Sequence, residues 1–118
     1  MRRESGTQTH ATHLVGEVEG CVCVIIDDMI STGGTLVESV RALREAGAAR
    51  FVVAATHGLL LGSAVERLAD AGVDRLFVTD TVPPREDGRG IVQVVSVAPL
   101  LAQALRHLVQ DRSLEDLY

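Results

Sequence analysis

The chain contains no lysine: its eleven basic side chains are all arginine. That absence excludes chemistry that depends on lysine, including a Walker A phosphate loop, a Schiff base and a catalytic ammonium group. Tryptophan is also missing, and with one tyrosine and two phenylalanines the core must be built from valine, leucine, alanine and isoleucine. Positive charge is in short supply, and the net charge of −5 argues against a general nucleic-acid binder, whose affinity comes mainly from phosphate neutralisation. Small molecules or protein are the expected partners. No apolar stretch approaches the roughly 20 residues that span a bilayer, so no membrane role is expected. The polar segment from Met1 to Gly20 lacks the apolar centre of a signal peptide, and a cytoplasmic location follows as the expectation. At 118 residues the chain suits a single domain, 1–118.

Cys21 and Cys23 are two residues apart, poor geometry for a disulfide in an extended segment, and are expected to be buried free thiols. His10 and His13 precede them without a second cysteine pair, so no structural zinc site is expected.

Hydrophobic periodicity alternates between two kinds of element. Cys21 to Ile26 is a short β-branched run of the type buried on both faces, ending at Asp27. From Gly34 the period changes: Leu36, Val37, Val40, Leu43 and Ala46 mark an amphipathic helix of about three turns, stopped by Gly47. Phe51 to Ala55 reads as a second strand, ending at Thr56, His57 and Gly58. Ser63 and Glu66 have the spacing of a capping box for a helix that ends near Gly72. Leu76 to Val78 and Ile91 to Val95 read as further strands, separated by a charged loop from Pro83 to Gly90. Pro99 opens a last helix with Leu100, Leu101, Ala104, Leu105 and Leu108 on one face, followed by a charged tail. Strands alternating with helices predict an α/β fold: a three-layer parallel sheet flanked by helices.

In such sheets ligands sit beyond the carboxyl ends of the strands. The first of these ends reads Asp27-Asp28-Met29-Ile30-Ser31-Thr32-Gly33-Gly34-Thr35 and runs straight into a helix. Gly33 and Gly34 let backbone N–H groups approach an anion closely, and Ser31, Thr32 and Thr35 add hydroxyl donors. The helix N-terminus contributes further N–H groups and a positive dipole end. At about 1.5 to 3 kcal/mol per charge-assisted hydrogen bond, this loop can hold one phosphate without a basic side chain. Asp27 and Asp28 would be repelled by that phosphate unless they face ribose hydroxyls or a magnesium ion. His57, at a strand end, is either a site residue or a hydrogen-bonded histidine of the sheet rim. His107 reads as a helix-surface residue, and Arg85 and Arg89 as parts of a solvated loop.

The loop is accompanied, in order, by Arg2-Arg3, Val15 to Gly20, Gly47-Ala48, Thr56-His57-Gly58, Ala64 to Leu68, Thr79 to Pro83 and Ser96 to Ala102. Together these motifs resemble the type I phosphoribosyltransferase superfamily and, more closely, the C-terminal part of the ribose-phosphate pyrophosphokinases, which make 5-phosphoribosyl 1-diphosphate (PRPP). The resemblance implies a phosphoribosyltransferase-like fold, incomplete at its N-terminal side. It also implies transfer of a diphosphoryl group from Mg-ATP to the anomeric hydroxyl of ribose 5-phosphate. By position, Asp27 and Asp28 would hold ribose hydroxyls and Mg2+, Ser31 to Thr35 would hold the 5-phosphate, and Arg3 would contact the ATP phosphates as the catalytic residue.

Three departures qualify that carry-over. Met1 stands where the family has its catalytic-loop lysine, Ser31 stands where many members have aspartate, and the N-terminal domain has no counterpart. The expectation is a chain that binds ribose 5-phosphate or PRPP and is inactive alone, using ATP only if an N-terminal half is supplied. A regulatory module that binds PRPP without turnover, and a phosphoribosyltransferase, are the alternatives. A homo-oligomer, or a partner supplying the missing half, is expected to cover the first strand and the last helix.

Overall fold

A computed structural model describes residues 17–83 and 89–117. Its elements run β1 (Val22–Ile30), α1 (Gly34–Glu45), β2 (Arg50–Gly58), α2 (Ala64–Ala71), β3 (Val73–Thr79), β4 (Val92–Val95) and α3 (Ala98–Val109), closed by a 3₁₀ turn at Leu114–Leu117. Among the described residues the four strands form one parallel sheet in the order β1-β2-β3-β4. The α/β class expected from the alternating periodicity is therefore what the chain adopts.

Right-handed crossovers that keep moving in one direction place their helices on the same side of a sheet. Accordingly Leu36, Val37, Val40 and Leu43 of α1 share one core with Val65, Leu68 and Ala71 of α2. Cys23 and Ile25 of β1, Phe51, Val53 and Ala55 of β2, and Val73, Leu76 and Val78 of β3 complete that core. α2 ends on Gly72, whose φ of +111° suits a residue without Cβ. A side chain there would run into the Arg44 guanidinium, which in turn stacks 5.9 Å from the centre of the Phe51 ring.

Several expectations are corrected. β1 is not buried on both faces: Cys23 and Ile25 are buried, whereas Val22, Val24 and Ile26 on the opposite face are exposed. It also runs on through both aspartates to Ile30, because pairing with β2 continues at Asp27 with Ala55, Met29 with His57 and Ile30 with Gly58. Of the cysteines only Cys23 is buried; both are free thiols, and burial, reinforced by Cys21, raises the Cys23 pKa. The capping box does not form. Ser63 has ψ near 26° rather than the extended conformation of a capping residue, and its side chain makes no cap hydrogen bond. His107 is buried, with Nδ1 2.8 Å from the Ser113 carbonyl oxygen, because the chain after α3 folds back over it. The leucines of α3 are exposed, the uncovered stripe expected of the last helix.

Candidate functional site

The cleft at the carboxyl end of β1 is lined by residues 26–36 and Thr56 and has a volume of about 780 Å³. It gathers Asp27, Asp28, Ser31, Thr32, Gly33, Gly34 and Thr35, the residues singled out from the sequence apart from Arg3. Arg3, His10, His13 and Arg85 lie outside the described residues. Asp27 is half-buried and Asp28 exposed, and the Asp28 N–H donates to Asp27 Oδ1 at 2.8 Å.

What the loop can bind follows from where its carbonyls go. A planar trans peptide points its C=O and N–H in opposite directions, so tethering a carbonyl on one side aims the next N–H to the other. The Ile30 carbonyl accepts from Leu59 N–H at 2.9 Å and Leu60 N–H at 3.1 Å, and the Ser31 carbonyl from Leu61 N–H at 2.8 Å. Arg67 Nη1 donates to the Thr32 carbonyl at 3.3 Å, and the Val37 N–H donates to the Gly33 carbonyl at 2.9 Å as the first bond of α1. Four successive carbonyls are thus committed to protein donors. The first N–H groups of α1 have no acceptor within the helix. Gly33 caps α1 with φ +80° and ψ 4°, a left-handed conformation in which a β-branched side chain is strongly disfavoured. Below it, Leu68 and Ala64 of α2 would come within 3.5 and 3.7 Å of a Cβ.

A second polar group occupies the carboxyl ends of β2 and β3. The hydroxyls of Thr79 and Thr81 both donate to the Thr56 carbonyl, at 2.6 and 3.1 Å, and His57 Nδ1 lies 2.8 Å from Thr81 Oγ1. With the Thr81 proton directed at Thr56, the bond between His57 and Thr81 has Nδ1–H as donor and Thr81 Oγ1 as acceptor. His57 is thus a hydrogen-bonded histidine of the rim. Asp80, next along, accepts from the Ser96 hydroxyl and the Val97 N–H, which hold its carboxyl below the usual range. Arg89 pairs with Asp70 at 2.9 Å instead of standing alone in a solvated loop.

The brace formed by Leu59, Leu60, Leu61 and Arg67 was not predicted from the sequence. Its signal is an apolar Leu59-Leu60-Leu61-Gly62 run where a polar loop would be ordinary. Leu60 in that run is buried at 3% exposure and has φ 50°, a conformation leucine adopts only under tertiary constraint.

Comparison with known proteins agrees with this geometry. Residues 4–118 match the family model of the phosphoribosyl synthetase-associated domain. The chain is 41% identical over 119 residues to the ribose-phosphate pyrophosphokinase of Ralstonia nicotianae, covering 99% of this chain and 38% of that protein. It is 46% identical over 112 residues to that of Mycobacterium leprae, covering 94% of this chain and 34% of the relative. The crystal structure of phosphoribosylpyrophosphate synthetase from Mycobacterium smegmatis superimposes with a TM-score of 0.75 at 46% identity, covering 82% of this chain and 33% of that one. The chain therefore spans between a third and two fifths of the length of these relatives. A β1–α1 turn with its carbonyls turned inward, on a parallel sheet that superimposes on such a synthetase, accompanies a match over nearly the whole sequence: the chain belongs to the phosphoribosyl synthetase-associated domain family.

Proposed function

We propose that the cleft binds the 5-phosphate and ribose of ribose 5-phosphate or PRPP, and that the chain is the sugar-phosphate-binding part of a ribose-phosphate pyrophosphokinase. The observation that carries this reading is the commitment of the Ile30, Ser31, Thr32 and Gly33 carbonyls to protein donors at the N-terminus of α1. A loop so arranged offers N–H groups and little else to an incoming group, which selects an anion. Ser31, Thr32 and Thr35 add hydroxyls to the same wall. Asp27 and Asp28, at the edge of the cleft, accept from ribose hydroxyls. The order of the motifs supports reading the chain as the C-terminal part of the enzyme.

The described residues contain no cluster of three histidine, cysteine or acidic side chains able to hold a metal. Mg2+ needs no such cage, since it binds through one or two carboxylates together with substrate phosphates and keeps several waters. The hard oxygen donors of Asp27 and Asp28 fit it. When bound, it neutralises phosphate charge. On this reading Arg3 meets the ATP phosphates, and diphosphoryl transfer takes place in an assembly that supplies the remaining two thirds of the enzyme. The same reading has the protein work in the cytoplasm. The outer face of β1 and the stripe of α3, carrying Ile26, Leu101, Leu105 and Leu108 at 57 to 67% exposure, are where a second copy or a partner packs.

Absence of lysine favours a second reading for the chain alone: binding without turnover, as in a regulatory module. Calorimetry with ribose 5-phosphate and Mg2+ tests the site. Wild type binds, and Gly33→Val weakens binding by at least about tenfold by forcing the +80° φ away from its value. Equal affinity removes the loop from the site. An assay for AMP release from ATP and ribose 5-phosphate separates the two readings, since turnover by the chain alone at about 1 per second would make it an autonomous synthetase.

A further inference from the structure

Three successive carbonyls of the phosphate loop are tethered by the segment after β2, but the tethers differ in kind. Those on Ile30 and Ser31 come from backbone N–H groups of Leu59, Leu60 and Leu61, which no substitution of those leucines by another ordinary residue removes. The tether on Thr32 comes from a side chain, Arg67 on α2, at 3.3 Å. It also falls where the backbone is least able to hold itself. The peptide joining Thr32 to Gly33 precedes a glycine at φ +80°, and glycine populates negative φ about as readily as positive. A flip of that peptide would turn the Thr32 carbonyl toward the cleft and the Gly33 N–H away from it, exchanging attraction for repulsion at an anion site.

We propose that Arg67 is a positioning residue of the phosphate loop: by holding the Thr32 carbonyl against α2 it keeps the Gly33 N–H aimed at the anion. Three residues of one face of α2 share this work, spaced as i, i+3 and i+4. Ala64 and Leu68 pack beneath Gly33, and the Arg67 guanidinium lies with Nη2 3.6 Å from where a Cβ on Gly34 would be. The same placement sets a cation behind the first residue of α1, where it adds to the positive helix end. The proposal rests on the reading of the cleft as a phosphate site, and its test separates the two.

The amide signals of Gly33 and Gly34 are followed by NMR while inorganic phosphate, then ribose 5-phosphate with Mg2+, is titrated into wild type, Arg67→Gln and Arg106→Gln. Arg106 is an exposed arginine of α3 remote in sequence from the loop and controls for the lost charge. Both signals move on titration of wild type. Arg67→Gln binds about tenfold more weakly, the scale of one lost charge-assisted hydrogen bond, and its Gly33 amide is displaced before any ligand is added. Arg106→Gln stays within about twofold of wild type, as a screened surface charge should. Wild-type affinity in Arg67→Gln, or an equal loss in Arg106→Gln, overturns the positioning role and leaves the phosphate site standing. Failure of wild type to bind either ligand overturns both. Because Arg67 is exposed, the thermal midpoint of Arg67→Gln is expected to match wild type, which distinguishes a lost orientation from a lost fold.

Discussion

The two faces of β1 behave as if they belonged to different proteins. On one, Cys23 and Ile25 are 2% and 4% exposed beneath α1 and α2; on the other, Val22, Val24 and Ile26 are 58%, 41% and 67% exposed. The helices divide in the same way. α1 buries four apolar side chains, whereas the only buried residue of α3 is His107 and its leucines face outward. The covered half, β1–α1–β2–α2–β3, contains the core and the braced loop. The uncovered half, the outer sheet face with α3, has the composition of an interior without its contacts. That exposure is why the second copy or partner proposed above is assigned to this side. The loop between β1 and α1 belongs to the half whose packing the chain supplies itself.

The largest expected effect contrasts one residue from each half. Leu76 is fully buried, so Leu76→Ala should cost about 2 to 5 kcal/mol in urea unfolding, from lost burial and the cavity left behind. Leu105, at 63% exposure, should cost less than about 0.5 kcal/mol as Leu105→Ala in the dilute chain. Similar losses at both positions would abolish the contrast. Leu105 should instead matter for assembly. If the bare stripe joins copies, sedimentation equilibrium at micromolar concentration gives a mass above 12.6 kDa for wild type and a monomer for Leu105→Glu. A well-folded wild-type monomer would show that the stripe does not join copies.

Which half was legible from the sequence follows from the physics of each. Residues 21–26 and 51–55, and the Leu36, Val37, Val40, Leu43 repeat, report local periodicity, and their elements appear as expected. That Asp27 to Thr35 line one cleft was legible because Gly33, Gly34 and three hydroxyl residues stand together where a strand run gives way to a helix. Tertiary terms were not. Periodicity cannot say which face of a β-branched run has a cover, so Val22, Val24 and Ile26 read as buried. It cannot show that the chain beyond α3 folds over His107, or that Asp27 to Ile30 continue a strand by pairing with Ala55, His57 and Gly58. Nothing local in the sequence singles out Arg67, because its partner lies 35 residues away.

A smaller effect sharpens the packing of the covered half. Gly72→Ala must tolerate φ +111° and displace the Arg44 guanidinium from its place beside the Phe51 ring. The variant should lose more than about 1 kcal/mol in thermal or urea unfolding, the cost of forcing alanine into a left-handed backbone. Gly62 has φ +58° with nothing within 4 Å of a Cβ, so Gly62→Ala carries the backbone cost alone and should lose less. Equal losses would mean that the Arg44 contact contributes nothing.

The smallest effect lies at the seam between the halves. Asp80 follows β3, and its carboxylate accepts from the Ser96 hydroxyl and from the Val97 N–H at 3.0 Å, which together fix the entry to α3. Both bonds favour the charged form, so its folded pKa lies below the ordinary carboxylate value. The sign follows directly: a depressed acid contributes stability that is fully present above its unfolded value and is lost as the pH falls through the folded one. The Val97 amide signal should therefore titrate with a midpoint below the ordinary carboxylate value. Asp80→Asn should remove that titration while leaving the signals of Leu76 and Val53, in the covered core, unmoved. A midpoint at or above the ordinary carboxylate value would mean that Asp80 does not secure the helix in solution. Coincident loss of the core signals at the same pH would mean that α3 and the sheet unfold as one unit, and the division between the two halves would then be one of exposure and not of stability.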